Sequence, residues 1–392
     1  MTVQATATRR FPPGPRPARP IRILFLTARL DKLGGSENNI LALVKNLPGT
    51  TFTPYVLALQ GGELLQQVKG MGVYAGEVGL KSILSREGLV KGYKFLRFLR
   101  ERQVDILVTY HEDADIWGGL IGRLAGVPVI VSNRRDMGYQ VTRKHLMAYR
   151  YINRCFHGFI AVSHAVKMHL VSSQGIPESK VEVIYNGVEQ NGYNAHENKH
   201  YLHALLNVPT HHRMVGMVGS FRPVKGQEFF VRAAAKVLEV HQDVEFVIAG
   251  YKDTDYYTKI SALIDDLGIR HKVHCIGHRT DVARILTSLD IFVLSSLHEG
   301  FSNALLEAMA NGLPVIGPNS GGNPEIVAPS VGILFEPGNV DQLSRAIIRL
   351  LDGESERMIM GNNGVKVVRE TFSLRRMIDK YESLLVTMLE TK

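Results

Sequence analysis

Two series of short apolar segments, each opening with a strand, a loop containing glycine and a helical pattern, constrain this chain more than any other feature. Residues 21–27 (IRILFLT) form the first segment, rich in branched residues as a strand buried on both faces must be. Gly34-Gly35-Ser36-Glu37 follows, then a helical pattern over 38–46. Further apolar segments at 55–59, 105–110, 127–132, 158–163 and 181–186 alternate with helical stretches. The pattern restarts at 214–219 and continues at 244–249, 273–276, 291–295 and 314–317. Such alternation predicts α/β architecture with doubly wound sheets. Its restart predicts two Rossmann-like domains facing a central cleft, where both sets of strand ends meet.

The division that follows is a Pro- and Arg-rich leader (1–20), a first domain (21–190), a second domain (191–372) and a terminal amphipathic helix (373–392) carrying Met377, Tyr381, Leu384, Leu385 and Met388 on one side. A length of 392 residues suits two cores, and 45% apolar with 21% charged residues suits a globular chain. The leader lacks the apolar centre of a secretory signal and reads as a disordered basic tail. A polar linker rich in His and Asn spans 189–200. No apolar run is long enough to cross a bilayer. Cys155 and Cys275 fall in separate halves and belong to no C-x-x-C pair, which fits a reducing compartment.

Charge is uneven. Residues 1–190 hold 25 Lys and Arg against 14 Asp and Glu, whereas 191–392 hold 21 against 23. An anionic membrane surface, nucleic acid and a phosphorylated substrate all suit a positive first half. The segments 81–102 and 134–154 interleave Lys and Arg with apolar residues; Lys91, Lys94 and Arg97 accompany Phe95, Leu96 and Phe98. A basic amphipathic helix can lie on anionic lipid, although a packed helix with a wet basic face has the same pattern. No nucleic-acid-binding module is recognisable, so nucleic acid is set aside.

The densest chemical signal is Glu299-Gly300-Phe301-Ser302-Asn303-Ala304-Leu305-Leu306-Glu307, directly after segment 291–295. Ser302 is a candidate N-cap, which predicts that the amides of Asn303, Ala304 and Leu305 face the space above the strand, a setting for a diphosphate. Ionised carboxylates accept paired hydrogen bonds from neighbouring hydroxyls, so Glu299 and Glu307 suit two sugar rings flanking it. An acidic loop before an ordinary helix is the plainer alternative.

Gly219 ends the first strand of the second half, and Arg222 and Lys225 follow in the loop 220–226. A guanidinium fork and a mobile ammonium can close on a diphosphate from one side, although a solvated basic loop looks alike. Gly34 and Gly35 let the backbone approach phosphate or sugar. Neither G-x-G-x-x-G nor G-x-x-x-x-G-K-[ST] occurs, which counts against nicotinamide and P-loop readings. His111, after segment 105–110, can hydrogen-bond a sugar or stabilise developing charge. The strings Asp113-Ala114-Asp115 and Asp253-Thr254-Asp255 are short enough to arise by chance, and His211, His212, His271 and His274 lack ligand spacing, so no metal is expected.

Taken in order, Gly34-Gly35, His111, Asn186-Gly187-Val188, Arg222 with Lys225, Glu299 with Glu307, Leu305-Leu306-Glu307-Ala308-Met309 and Gly321-Gly322-x-Pro324-Glu325 resemble glycosyltransferase family 4, retaining enzymes of GT-B fold that use sugar nucleotides. The resemblance covers about 21–389. It implies that the second domain binds the nucleotide sugar and the first supplies the acceptor side, with the final helix crossing back to the first. Arg222 and Lys225 would hold the diphosphate, Glu307 the ribose and Glu299 the transferred sugar. His111 would touch that sugar, and Gly35 would lie near the diphosphate. The expected site is therefore His111, Arg222, Lys225 and Glu299 for catalysis, with Gly34, Gly35, Gly219, Phe301, Ser302, Asn303, Ala304 and Glu307 joining Arg222, Lys225 and Glu299 around the donor. Gly250-Tyr251-Lys252 departs from the second small glycine loop of many relatives, and Arg134-Arg135-Asp136-Met137 looks particular to a subgroup.

The reading is a retaining glycosyltransferase that moves a sugar from a nucleoside-diphosphate donor, UDP- and GDP-sugars first, to a glycan or lipid-linked acceptor, with no cofactor required. A cytoplasmic setting follows, peripheral on the inner membrane face. A sugar-nucleotide epimerase and a catalytically silent sugar-nucleotide binder are the alternatives.

Overall fold

A computed structural model describes residues 19–30, 34–80, 82, 83, 85–139, 141–189, 199–252 and 255–392. Most of the basic leader, most of the 189–200 linker, and Asp253 and Thr254 of the second D-x-D string lie outside the described residues.

The first sheet contains β1 (Ile21–Arg29), β2 (Phe52–Gln60), β3 (Tyr74–Glu77), β4 (Ile106–Tyr110), β5 (Val129–Arg134), β6 (Gly158–Ala161) and β7 (Val181–Val183), ordered β3-β2-β1-β4-β5-β6-β7. The second contains β8 (Arg213–Val218), β9 (Val244–Ala249), β10 (Val273–Gly277), β11 (Ile291–Val293), β12 (Val315–Pro318) and β13 (Gly332–Phe335), ordered β10-β9-β8-β11-β12-β13. All pairings are parallel, with Ile23 opposite Ile106 in one sheet and Ile291 opposite Val215 in the other. In each sheet the order reverses beside its first strand, creating switch points at β1/β4 and β8/β11. Crevices outside the strand carboxyl ends open there. The sequence pattern marks neither β3 (YAGE) nor β13 (GILF), both edge strands of four residues.

Helices cover both faces of each sheet, which is why consecutive strand residues are apolar. Ile23 and Phe25 enter one core cluster, Leu24 and Leu26 another, and all four are fully buried. The first of these clusters joins the helix Gly35–Asn46 through Ile40, Leu43 and Val44, and the final helix Leu374–Glu390 through Met377, Ile378, Tyr381 and Leu385. The C-terminal helix therefore packs on the first sheet. Burying each such aliphatic side chain contributes about 1.5–3 kcal/mol. The Tyr381 hydroxyl accepts a hydrogen bond from Asn133 Nδ2 at 2.7 Å inside this core.

The chain returns beside the crossover between domains. Val188 exchanges backbone hydrogen bonds with Phe372 and Leu374, at 3.0 and 3.1 Å. A Cβ on Gly187 would stand 2.6 Å from the Leu374 Cα, so only glycine lets the two segments pass this closely.

Candidate functional site

Each switch point supplies two loops to one cleft of about 1050 Å³ between the domains. Gly34 and Gly35 follow β1, and His111 follows β4. Gly219, Arg222 and Lys225 follow β8, and the segment from Glu299 to Glu307 follows β11. His111, Gly34, Gly35, Gly219, Arg222, Lys225, Glu299, Phe301, Ser302, Asn303, Ala304 and Glu307 all line that cleft.

On the second domain, Phe221 is fully buried and anchors the loop that carries exposed Arg222. Pro223–Lys225 makes one tight turn, and Lys225 Nζ donates to Glu299 Oε1 at 2.7 Å. Ser296 Oγ donates to the same oxygen at 2.8 Å. The glycine pair further along explains how this loop is supported. Gly321 has φ 54°, and a Cβ there would lie 1.7 Å from the Glu299 carbonyl oxygen. The loop carrying Glu299 thus rests on bare backbone.

Ser302 caps the helix Asn303–Ala310 by accepting from Leu305 N at 3.4 Å. That bond consumes one of the three amides expected to face the cleft. Asn303 and Ala304 keep theirs, at the positive end of the helix. Glu307, one turn on, pairs with no cation among the described residues, and burial pushes its carboxyl up to about 7.

On the first domain, His111 adopts φ 69° and ψ 162°, a conformation that glycine favours and that costs a side-chain-bearing residue on the order of 1–3 kcal/mol. Its neighbours fix the ring. Thr27 Oγ1 donates to the Arg29 carbonyl oxygen at 3.2 Å and lies 3.2 Å from His111 Nδ1. The ring is thus held at Nδ1 by Thr27, and its Nε2 lies 4.0 Å from Glu37 Oε1.

The cleft also contains Glu37, Asn38, Glu112, Asp136 and Tyr251, to none of which the sequence assigns a role. Glu112 is raised above the usual carboxylate range, chiefly by burial. Tyr251 stacks on His278 with centroids 3.9 Å apart. The D-x-D string at 113–115 is split. Asp113 lines the cleft, whereas Asp115 is fully buried against Arg134 Nε at 3.1 Å. Among the described residues no group of three or more His, Cys, Asp or Glu is placed to hold a metal ion.

Chemically, the cleft offers a guanidinium, an ammonium and two helix amides to an anion, with carboxylates on either side for hydroxyls. The comparisons with known proteins agree in kind. A model for glycosyl transferases group 1 matches residues 202–367, and one for Glycosyltransferase Family 4 matches 33–191. An Escherichia coli UDP-Gal:alpha-D-GlcNAc-diphosphoundecaprenol alpha-1,3-galactosyltransferase is 28% identical over 78% of this chain and 82% of its own. An uncharacterized glycosyltransferase of Methanocaldococcus jannaschii is 34% identical over 55% of this chain and 56% of its own. The structure of Anabaena HepE with UDP and glucose superposes with TM-score 0.83 at 22% identity, covering 93% of this chain and 99% of that one. A Rickettsia africae glycosyltransferase gives 0.84 at 21%, covering 95% and 100%.

Proposed function

Since the chain belongs to the GT-B glycosyltransferases, with family 4 and group 1 models across its two halves, we propose that it transfers a sugar, with retention, from a nucleoside-diphosphate donor to a glycan or lipid-linked acceptor. The observation that carries this reading is the convergence of Arg222, Lys225, the Asn303 and Ala304 amides, Glu299 and Glu307 in one cleft. In this reading the second domain, 191–372, holds the donor. The first domain, 21–190, presents the acceptor, and the final helix ties them together.

Arg222 and Lys225 take the diphosphate, Glu307 the ribose hydroxyls and Glu299 those of the transferred sugar. His111 reaches that sugar from the first domain, and Gly35 brings backbone close to the phosphates. The bond between the anomeric carbon and the phosphate oxygen breaks, and the acceptor hydroxyl oxygen bonds the same carbon from the same face. Its proton passes to the departing phosphate oxygen. Arg222, Lys225 and the helix amides stabilise the leaving charge more strongly as it develops. Glu299 suits the hydroxyl-ligand role better than the nucleophile role. Its Oε1 already accepts from both Lys225 and Ser296, so its lone pairs are engaged in hydrogen bonds rather than free to attack carbon.

UDP-sugars are the first donors to try, because the E. coli relative is named for UDP-Gal and HepE was solved with UDP. That relative's diphosphoundecaprenol acceptor suggests a lipid-linked one here, and with it work at the inner membrane face. A thermal-shift screen with UDP-, GDP-, ADP- and dTDP-sugars tests the reading, since a ligand that binds the native state raises its melting temperature. One responding nucleotide, lost in Glu307→Ala, supports it. A donor isomerised without release of the nucleotide supports epimerisation instead.

A further inference from the structure

Arg135 directly follows β5, and its guanidinium lies under the Gly34-Gly35 turn. Nη2 donates to the Gly35 carbonyl oxygen at 3.3 Å and to Asn186 Oδ1. Asn186 Nδ2 in turn donates to Asn303 Oδ1, on the first residue of the helix that leads to Glu307. The Arg135 backbone reaches the other loop, since a Cβ on Gly300 would stand 2.3 Å from the Arg135 carbonyl oxygen. One residue thus touches the glycine turn of the first domain and the Glu299-Gly300 loop of the second.

The half-buried guanidinium forms no ion pair among the described residues, and its enclosed Nε and Nη1 face the Tyr381 hydroxyl rather than a carboxylate. Arg134 beside it is paired with Asp115 and lies 4.1 Å over the Tyr149 ring. Enclosing two guanidinium nitrogens with no anion beside them costs stability, unless an anion arrives at the site during function.

We propose that Arg135 is a positioning residue for the donor diphosphate. It holds the Gly35 turn and the Asn303 helix in one register through Asn186, and places a positive charge behind the phosphates. The inference rests on the donor-site reading above and extends it to the first domain.

Titration calorimetry with the di- and monophosphates of uridine and guanosine tests it on the full chain. Arg135→Met is expected to weaken diphosphate binding about tenfold or more, and monophosphate binding much less. Asn186→Asp separates charge from architecture, because it gives Arg135 a carboxylate partner. The protein should then melt no earlier, yet bind the diphosphate several-fold more weakly than Asn186→Ala does. Arg135→Met and Asn186→Ala should combine less than additively, since they cut one chain of contacts. Wild-type diphosphate affinity in Arg135→Met, equal losses for di- and monophosphate, or undiminished diphosphate binding in Asn186→Asp would overturn the proposal. A wild-type protein that binds none of these nucleotides overturns the donor-site reading itself.

Discussion

The Lys225 ammonium lies 2.7 Å from Glu299 Oε1, so the cation and the carboxylate that the proposed function assigns to the diphosphate and the transferred sugar neutralise one another. A nucleoside diphosphate must compete with Glu299 for Lys225. Exposed or half-exposed pairs contribute about 0.2–1 kcal/mol, so Glu299→Gln should bind a bare nucleoside diphosphate roughly 1.5- to 5-fold more tightly. Its turnover with the sugar donor should fall. Lys225→Ala should lose both binding and turnover. Calorimetry beside initial rates checks this, and weaker diphosphate binding by Glu299→Gln would refute the competition.

Glu307 sets a pH dependence with a definite sign. Its carboxyl is raised by burial to about 7 in the folded protein, so the folded state holds the proton more tightly than the unfolded chain. The associated stability is full below the unfolded value near 4.5 and disappears as pH rises through about 7. Glu307→Gln carries no such charge. Its melting temperature should match wild type near pH ~5 and exceed it by roughly 2–4 °C above pH ~8. A constant gap across that range would show that Glu307 is not held protonated. The same variant should bind the donor more weakly, which makes this a residue kept for function against stability.

A control for these measurements lies at the amino ends of β9 and β10, away from the cleft. Glu245, 2% exposed, accepts from His274 Nε2 at 2.7 Å, His212 Nδ1 at 2.8 Å and Lys272 Nζ at 3.0 Å. Burial alone would raise its carboxyl, but these bonds outweigh burial and hold it below the usual range. Its stability contribution is therefore present above the unfolded value and lost as pH falls through the lower folded one. Glu245→Ala leaves Lys272 enclosed without its anion, at about 3–5 kcal/mol in urea denaturation. Nucleotide affinity of the remaining folded protein should not change.

How legible was this site before the fold was known? His111, Gly219, Arg222 and Glu299 could be named because each follows an apolar run, and strand carboxyl ends in such sheets open onto clefts. Glu37 and Asp136 line the same cleft, although the segments that contain them give neither a role. The first looks like any acid in a first helical turn, and the second belongs to a basic segment; only the facing of two domains selects them. Burial was harder still. Arg134 and Arg135 count toward the surface charge of 134–154, yet β5 buries Arg134 to 8% and turns Arg135 beneath the glycine turn. The Leu305 amide, open in the sequence pattern, is taken by Ser302.

The basic helix Arg86–Glu101 needs a similar adjustment before it is assigned to a membrane. Lys91 pairs with Glu87 and Arg97 with Glu101, so much of its charge is balanced within the helix. Its outer face instead exposes Leu89 (78%), Val90 (59%) and Tyr93 (65%), with Lys94 beside them. Binding to vesicles containing anionic lipid should thus fall more in Leu89→Ser/Tyr93→Ser than after charge reversal at Lys91 and Arg97. Sedimentation with the vesicles reads the difference. Undiminished sedimentation of both variants would remove this helix from the membrane.

Glu325 is the clearest handle on closure of the cleft. From the second domain, its two oxygens accept from His164 N and Ala165 N at 2.9 Å each, capping a helix of the first domain. Tyr185 adds a hydroxyl bond at 2.9 Å, and Ser163 Oγ donates to the Gly300 carbonyl oxygen at 2.9 Å alongside. The carboxylate thus ties the segment Asn323–Ile326 to the first domain at the positive end of a helix, where an anion is favoured, and Ser163 ties the Gly300 loop beside it. Glu325→Ala removes three hydrogen bonds that exist only when the domains are together. Charged hydrogen bonds contribute about 1.5–3 kcal/mol each, enough to shift a balanced opening equilibrium by an order of magnitude or more. The variant should show a larger radius of gyration in solution scattering and a raised KM for the donor. Glu325→Gln should recover part of both, because its amide oxygen can still accept. An unchanged radius with an unchanged KM would mean that closure is set elsewhere, by the return of the C-terminal helix to the first sheet.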